Sequence, residues 1–118
     1  MDSILTSVKS SLGIAEDYTY FDQQVIMHTN SVFMILQQLG LGDKENPFTI
    51  SGKTESWDDF LTALDIGSKA LSLTLIQSYM YLRVRLLFDP PTNSFLVENM
   101  KQQIQEFEWR LNVAVDPL

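Results

Sequence analysis

Ile4, Leu5, Val8 and Leu12 recur at the three- and four-residue spacing of a helix and predict a short amphipathic segment over residues 3–12. Gly13 ends it, in the position that tolerates a left-handed turn. A polar and aromatic connector follows over 16–20. Residues 21–39 predict a second helix, with Phe21, Val25, Val32, Leu36 and Leu39 in one stripe and Ile35 beside it, stopped by Gly40. Gln23, Gln24, Asn30, Ser31, Gln37 and Gln38 lie on the other side. Met27 and Met34 fall in the middle of that polar side, where the pattern does not call for them.

Residues 40–56 cluster Gly, Asp, Lys, Asn, Pro and Ser and read as an irregular loop. Within it, Phe48, Thr49 and Ile50 suit a short strand, although no partner strand is visible. Ser56 reads as the N-cap of a helix beginning at Trp57, with Asp59 near the capping-box position and the acids suited to a helix start. Gly67 interrupts the pattern. Residues 68–87 predict a long helix that is apolar almost all round, which belongs at the centre of a bundle. It must end near Phe88, because Pro90 and Pro91 follow Asp89. Thr92 or Asn93 caps a last helix running to about Val113, with Leu96, Met100, Ile104, Phe107 and Leu111 as its core stripe. Glu106 and Arg110 form an i,i+4 pair of favourable polarity. Phe95 and Trp109 point away from the stripe. The short elbow makes the last two helices antiparallel neighbours. The expected fold is therefore all-α: one domain over 1–118, a small bundle of four to five helices with a long central helix, closed by a short extended tail.

Composition agrees with one packed domain. At 118 residues, 45% apolar and 19% charged, the chain can bury roughly two thirds of its unfolded surface. It has no cysteine, hence no disulfide and no thiolate metal site. The N-terminus lacks a basic segment followed by a long apolar run, so no signal peptide is expected. Arg83 and Arg85 interrupt the most apolar stretch, which argues against a membrane span. Charge is divided unevenly: residues 1–65 hold ten acids against three bases, a net of −7, whereas 66–118 hold five of each. That balance argues against wrapping nucleic acid, which needs Lys and Arg to displace counterions, and fits a surface that repels DNA.

Candidate chemistry is sparse. Gly52-Lys53-Thr54 resembles the end of a phosphate-binding loop, but Pro47 stands where that motif needs glycine, and a loop turn is the better reading. His28, the single histidine, has no cysteine or second histidine for metal binding and no assignable catalytic partner. Asp58, Asp59 and Asp65 do not match a calcium loop, and a helix start in solvent explains them better. No cofactor and no enzymatic activity are expected. Met27 and Met34 on one helix, and Phe95 and Trp109 on another, are either scattered surface hydrophobes or faces that a neighbouring copy buries. The interface reading is preferred, since methionine and aromatics are enriched at interface cores and two helices share the anomaly. The β-prone tail carrying Val113, Ala114, Val115 and Leu118 either folds back on its own bundle or adds as a strand to a partner, with Pro117 limiting its extent.

Leu82-Arg-Val-Arg-Leu-Leu-Phe-Asp-Pro-Pro-Thr, then Phe107-Glu-Trp-Arg-Leu-Asn-Val and the closing Val115-Asp-Pro, resemble the head–tail connector (adaptor) proteins of long-tailed bacteriophages. The opening Ile4-Leu-Thr-Ser-Val-Lys-Ser-Ser-Leu-Gly-Ile, the acidic linker and the helix starting Phe21-Asp22 extend the likeness over nearly the whole chain. Loop 40–56 matches less well and reads as a local elaboration. The resemblance implies a helical protein that assembles as a homo-oligomeric ring beneath the portal after DNA packaging. Such a ring extends the channel, lets DNA pass without specific binding, and offers a platform to the next neck or tail-completion protein. It places the protein in the virion, with assembly in the host cytoplasm, and implies no catalysis. It favours portal docking for Val113, Ala114, Val115 and Leu118. A closed ring needs two different apolar faces on each subunit, for which Met27/Met34 and Phe95/Trp109 are the candidates. Asp58, Asp59 and Asp65, in the acidic half, are the candidates for lining the channel. The alternatives are a stopper or tail-completion role in the same neck, or a cytoplasmic helical adaptor that binds another protein.

Overall fold

The computed structural model describes residues 3–42, 45–64 and 73–115, with side chains as far as Val113. Five helices run through them: α1 (Ile4–Ser11), α2 (Asp22–Gln38), α3 (Trp57–Leu64), α4 (Leu73–Phe88) and α5 (Ser94–Val115). α4 packs against both α2 and α5, and α1 packs against α2 and α4. The expected interruption at Gly67, the start of the long helix and Asp65 lie outside the described residues.

Local chemistry sets the helix ends. Ser3 caps α1, its hydroxyl accepting from the Thr6 amide at 3.0 Å. α1 and α2 both close with a glycine at positive φ, Gly13 at 78° and Gly40 at 103°. After each glycine the next amide reaches back to the helix: Ile14 to the Lys9 carbonyl and Leu41 to the Leu36 carbonyl, both at 2.9 Å. This is the pairing that satisfies the last carbonyls of a helix. Ser56 and Asp59 bond reciprocally at the start of α3, at 2.9 and 3.2 Å, so the expected capping box forms. Asn93 rather than Thr92 caps α5, accepting from the Phe95 amide at 2.8 Å.

The core joins Ile4, Leu5 and Val8 of α1 to Val25, Val32 and Leu36 of α2, Ile76, Tyr79, Met80 and Val84 of α4, and Ile104 and Leu111 of α5. A second part is aromatic. Phe33 packs with Phe48, Trp57 and Phe60 at ring separations of 5.0–6.1 Å. Phe33 stood outside the predicted stripe of α2. It is buried because loop and α3 aromatics cover its side of the helix.

Three expectations need correction. The extended tail does not begin at Val113, because α5 continues through Val115; Asp116, Pro117 and Leu118 lie outside the described residues. Phe48, Thr49 and Ile50 make no strand: Asn30 of α2 supplies the missing partner, its Oδ1 accepting from the Ile50 amide at 2.8 Å and its Nδ2 donating to the Ile50 carbonyl at 3.0 Å. The central helix is not buried all round, since Leu87 and Arg85 of α4 face solvent, and Leu96 at the start of α5's stripe is also exposed. An all-round apolar pattern buries fully only where neighbours exist on every side, and α3 does not pack extensively on α4.

Candidate assembly surfaces

Met27 and Met34 stand 57% and 51% exposed on α2. Around them Gln23, Gln24, Ser31 and Gln38 are exposed as well. From Gln23 to Gly42 the sequence holds no Asp, Glu, Lys or Arg. A solvent-facing helix without formal charge is unusual, because charged side chains are the ordinary surface residues and are depleted where another surface lands. His28 lies half-buried on this helix, its ring 6.3 Å from that of Phe88.

α5 is the most lightly covered of the long helices. Among its described side chains Ile104 and Leu111 are buried. Phe95 and Trp109 are 72% and 67% exposed, and Leu96 and Val113 are half exposed. The two faces sit on different helices, α2 and α5, each of which packs on α4. Val113 is thus exposed on the last turns of a helix, and Val115 continues that helix. The side chains of Ala114, Val115 and Leu118 lie outside the described set.

Besides the buried Ile104 and Leu111, a polar clamp holds α5 against α4. Tyr79 Oη donates to Glu108 Oε2 at 2.6 Å, Arg83 Nε donates to Tyr79 Oη at 3.1 Å, and Arg83 Nη2 pairs with the same Glu108 oxygen. Burial pushes the Tyr79 phenol well above its ordinary value, with the Glu108 carboxylate adding to the effect. Burial opposes the charge on Glu108, but the bonds from Tyr79 and Arg83 outweigh it and hold the carboxyl below its ordinary range. A cleft of about 280 Å³ beside the clamp is lined by Leu86 and Ile104 as well as Arg83, Lys101, Gln105 and Glu108. The exposed Glu106–Arg110 pair forms as expected, at 3.1 Å, and adds little.

A further ion pair joins the beginning of the chain. Lys9, 1% exposed, meets Asp22 Oδ1 at 2.8 Å and donates to the Glu16 carbonyl at 2.9 Å. This pins the connector between α1 and α2. Neither the Lys9–Asp22 nor the Arg83–Glu108 pair was legible as such, although an arginine inside an apolar helix, as Arg83 is, signals a pairing acid elsewhere.

Gly52-Lys53-Thr54 forms a turn around the chain's own carboxylate. Glu55 accepts from the Ser51 amide and hydroxyl at 3.0 and 2.9 Å and from the Gly52 amide at 3.4 Å. Burial opposes the Glu55 charge slightly, but these bonds win and its pKa lies below the usual value. Amides that a phosphate loop would aim at a ligand are thus engaged internally. Asp58 and Asp59 are exposed in the first turn of α3, with Asp59 doubling as a cap. No cluster of three or more metal-ligating side chains occurs among the described residues, and no described helix is long and apolar enough to cross a membrane.

A family model described as phage connector protein matches residues 4–117. Searches of curated proteins and of solved structures return no match.

Proposed function

We propose that this chain, which belongs to the phage connector protein family, closes into a homo-oligomeric ring that joins the portal to the next neck or tail-completion protein. Family membership makes it a structural protein of the phage head–tail connector, located in the virion and in contact with other virion proteins. The ring, the portal contact and a DNA channel through the centre are our reading. The observation that carries it is the uncharged, methionine-bearing face of α2 together with the exposed Phe95 and Trp109 of α5. Two unlike faces on one subunit, each with exposed methionine or aromatic groups, are what a heterologous contact needs, and such contacts form rings where the rotation between subunits closes.

With Val113 to Val115 helical, docking by strand addition loses its support. The end of α5 becomes the portal-facing element, presenting Val113 with the segment that ends in Leu118. Asp58, Asp59 and Asp65 are assigned to the channel side, where negative charge keeps passing DNA from adhering. The role calls for no catalysis and no cofactor, and we assign none; assembly is placed in the host cytoplasm.

Binding to the cognate portal, measured for the full chain and for a chain ending at residue 112, tests the proposal. Full-length protein is expected to bind and assemble on portal, and the shortened chain to lose binding while keeping its helical content. Equal portal binding by the two chains removes the docking assignment. A full-length chain that ignores portal but binds a tail-completion protein moves it to the stopper position.

A further inference from the structure

Where the connector before α2 meets the end of α4, a run of rings is in contact. Phe88, the last residue of α4, meets Phe21 edge-on at 5.3 Å. Phe21 meets Tyr20 edge-on at 4.9 Å, and Tyr18 lies 6.4 Å from Tyr20 and 6.0 Å from Phe21. The inner rings are half-buried, whereas Tyr18 and Tyr20 are 51% and 79% exposed. Their connector is held from below by Lys9, and the Tyr18 and Asp22 amides bond back to Ala15 and Thr19, both at 3.1 Å. Two large aromatic faces are therefore held in water on a preset scaffold. Such groups lose little conformational freedom on binding, which is what a contact anchor requires.

The charge around the rings selects the occupant. Glu16 and Asp17 precede the tyrosines and Asp89 follows Phe88. All three are exposed, and none makes an ion pair among the described residues. Asp22 is neutralised by Lys9, and Arg85, one turn before Asp89, is the local cation. Covering this end with aliphatic surface would strip water from carboxylates and return nothing. A guanidinium meets both demands: it lies flat on a tyrosine ring, and its N–H groups pair with carboxylates. A second copy meets these demands poorly: bringing two such ends together would set six unpaired carboxylates against two Arg85 guanidiniums, while Arg83 is held by Tyr79 and Glu108.

We infer that Tyr18 and Tyr20, flanked by Glu16, Asp17 and Asp89, form a docking site for an arginine-bearing segment of a partner chain other than a second copy of this protein. The inference stands apart from the ring and from portal docking. It is tested on the full chain by NMR of the tyrosine rings during titration with a short amidated peptide containing two arginines, alongside its citrulline and lysine counterparts. The Tyr18 and Tyr20 resonances should shift saturably with the arginine peptide, while those of Tyr81 stay in place. Citrulline should weaken binding about tenfold, the order expected for losing a cation–π contact and its ion pair. Tyr18→Ser with Tyr20→Ser should abolish binding and leave the circular dichroism spectrum unchanged. The inference is overturned if citrulline binds as well as arginine, if Tyr81 shifts equally, or if the two rings shift on concentrating the protein without peptide, which would mean that another copy covers them.

Discussion

Ile50 is 3% exposed, and both its peptide N–H and C=O are satisfied by one side chain, Asn30. Asn30→Ala leaves both groups buried and unpaired, and is expected to cost about 2–3 kcal/mol, read as a lower urea midpoint at unchanged slope. A loss below half a kcal/mol would show that water replaces the amide. Sequence alone puts Asn30 on the polar side of α2. Its true partner lies far away in the loop, and no local pattern announces a side chain acting as a neighbouring strand. Tyr79 gives a second residue-scale test. Its phenol is held above the ordinary pKa of 10.0, so the folded state keeps this proton more tightly than the unfolded chain. The resulting stability is complete below about pH 10 and falls as pH rises beyond it. Glu108 acts oppositely: its lowered pKa stabilises above the ordinary 4.5 and is lost as pH falls through the folded value. Tyr79→Phe should therefore flatten the alkaline loss of stability, and parallel wild-type and mutant curves above pH 10 would refute the clamp.

Every described helix was readable, because α1, α2 and α5 carry a core stripe, α4 a long apolar run, and α3 a cap signal at Ser56. Gly13, Gly40 and the Pro90-Pro91 pair marked ends that the structure keeps. Boundaries failed where tertiary context decides. β-prone residues at Val113 and Val115 continue α5, since extending an existing helix costs little once it is nucleated and docked. Phe33 escaped the stripe for a related reason: its burial comes from Phe48 of the loop and from Trp57 and Phe60 of α3, whose approach the sequence leaves unplaced. At this scale the cap of α5 is the point to test. Asn93→Ala removes the acceptor for the Phe95 amide and should cost about 1 kcal/mol, seen as a lower melting temperature. Asn93→Asp, which keeps an acceptor and adds charge at the helix start, should restore it.

For the whole molecule, the exposed positions of Met27, Met34, Phe95 and Trp109 were legible as breaks in pattern, while the partners that would cover them are absent from any single chain. The ring reading predicts an outcome for mixtures. Met34→Glu disables the α2 face and leaves α5 intact; Trp109→Glu does the reverse. Each variant alone should fail to assemble on portal. Mixed in equal amounts, they should form one-to-one pairs that grow no further, seen by sedimentation on concentrating the protein. If Trp109→Glu alone forms dimers, α2 pairs with α2 and the contact is not the ring-closing kind.

The uncharged stretch of α2 has a chemical consequence. Between Lys9 and Lys44 the chain offers no lysine or arginine, and between Asp22 and Asp43 no carboxylate. Amine- and acid-directed cross-linkers therefore have nothing to grip there, and trypsin leaves the whole helix in one fragment. Besides the half-buried His28, the exposed thioethers of Met27 and Met34 are the reactive groups that remain. Their oxidation, which converts an apolar side chain into a polar one, should proceed readily in free subunits and slow sharply once the neck is assembled. It should also hinder assembly when carried out first, so oxidative damage before assembly would act on this face.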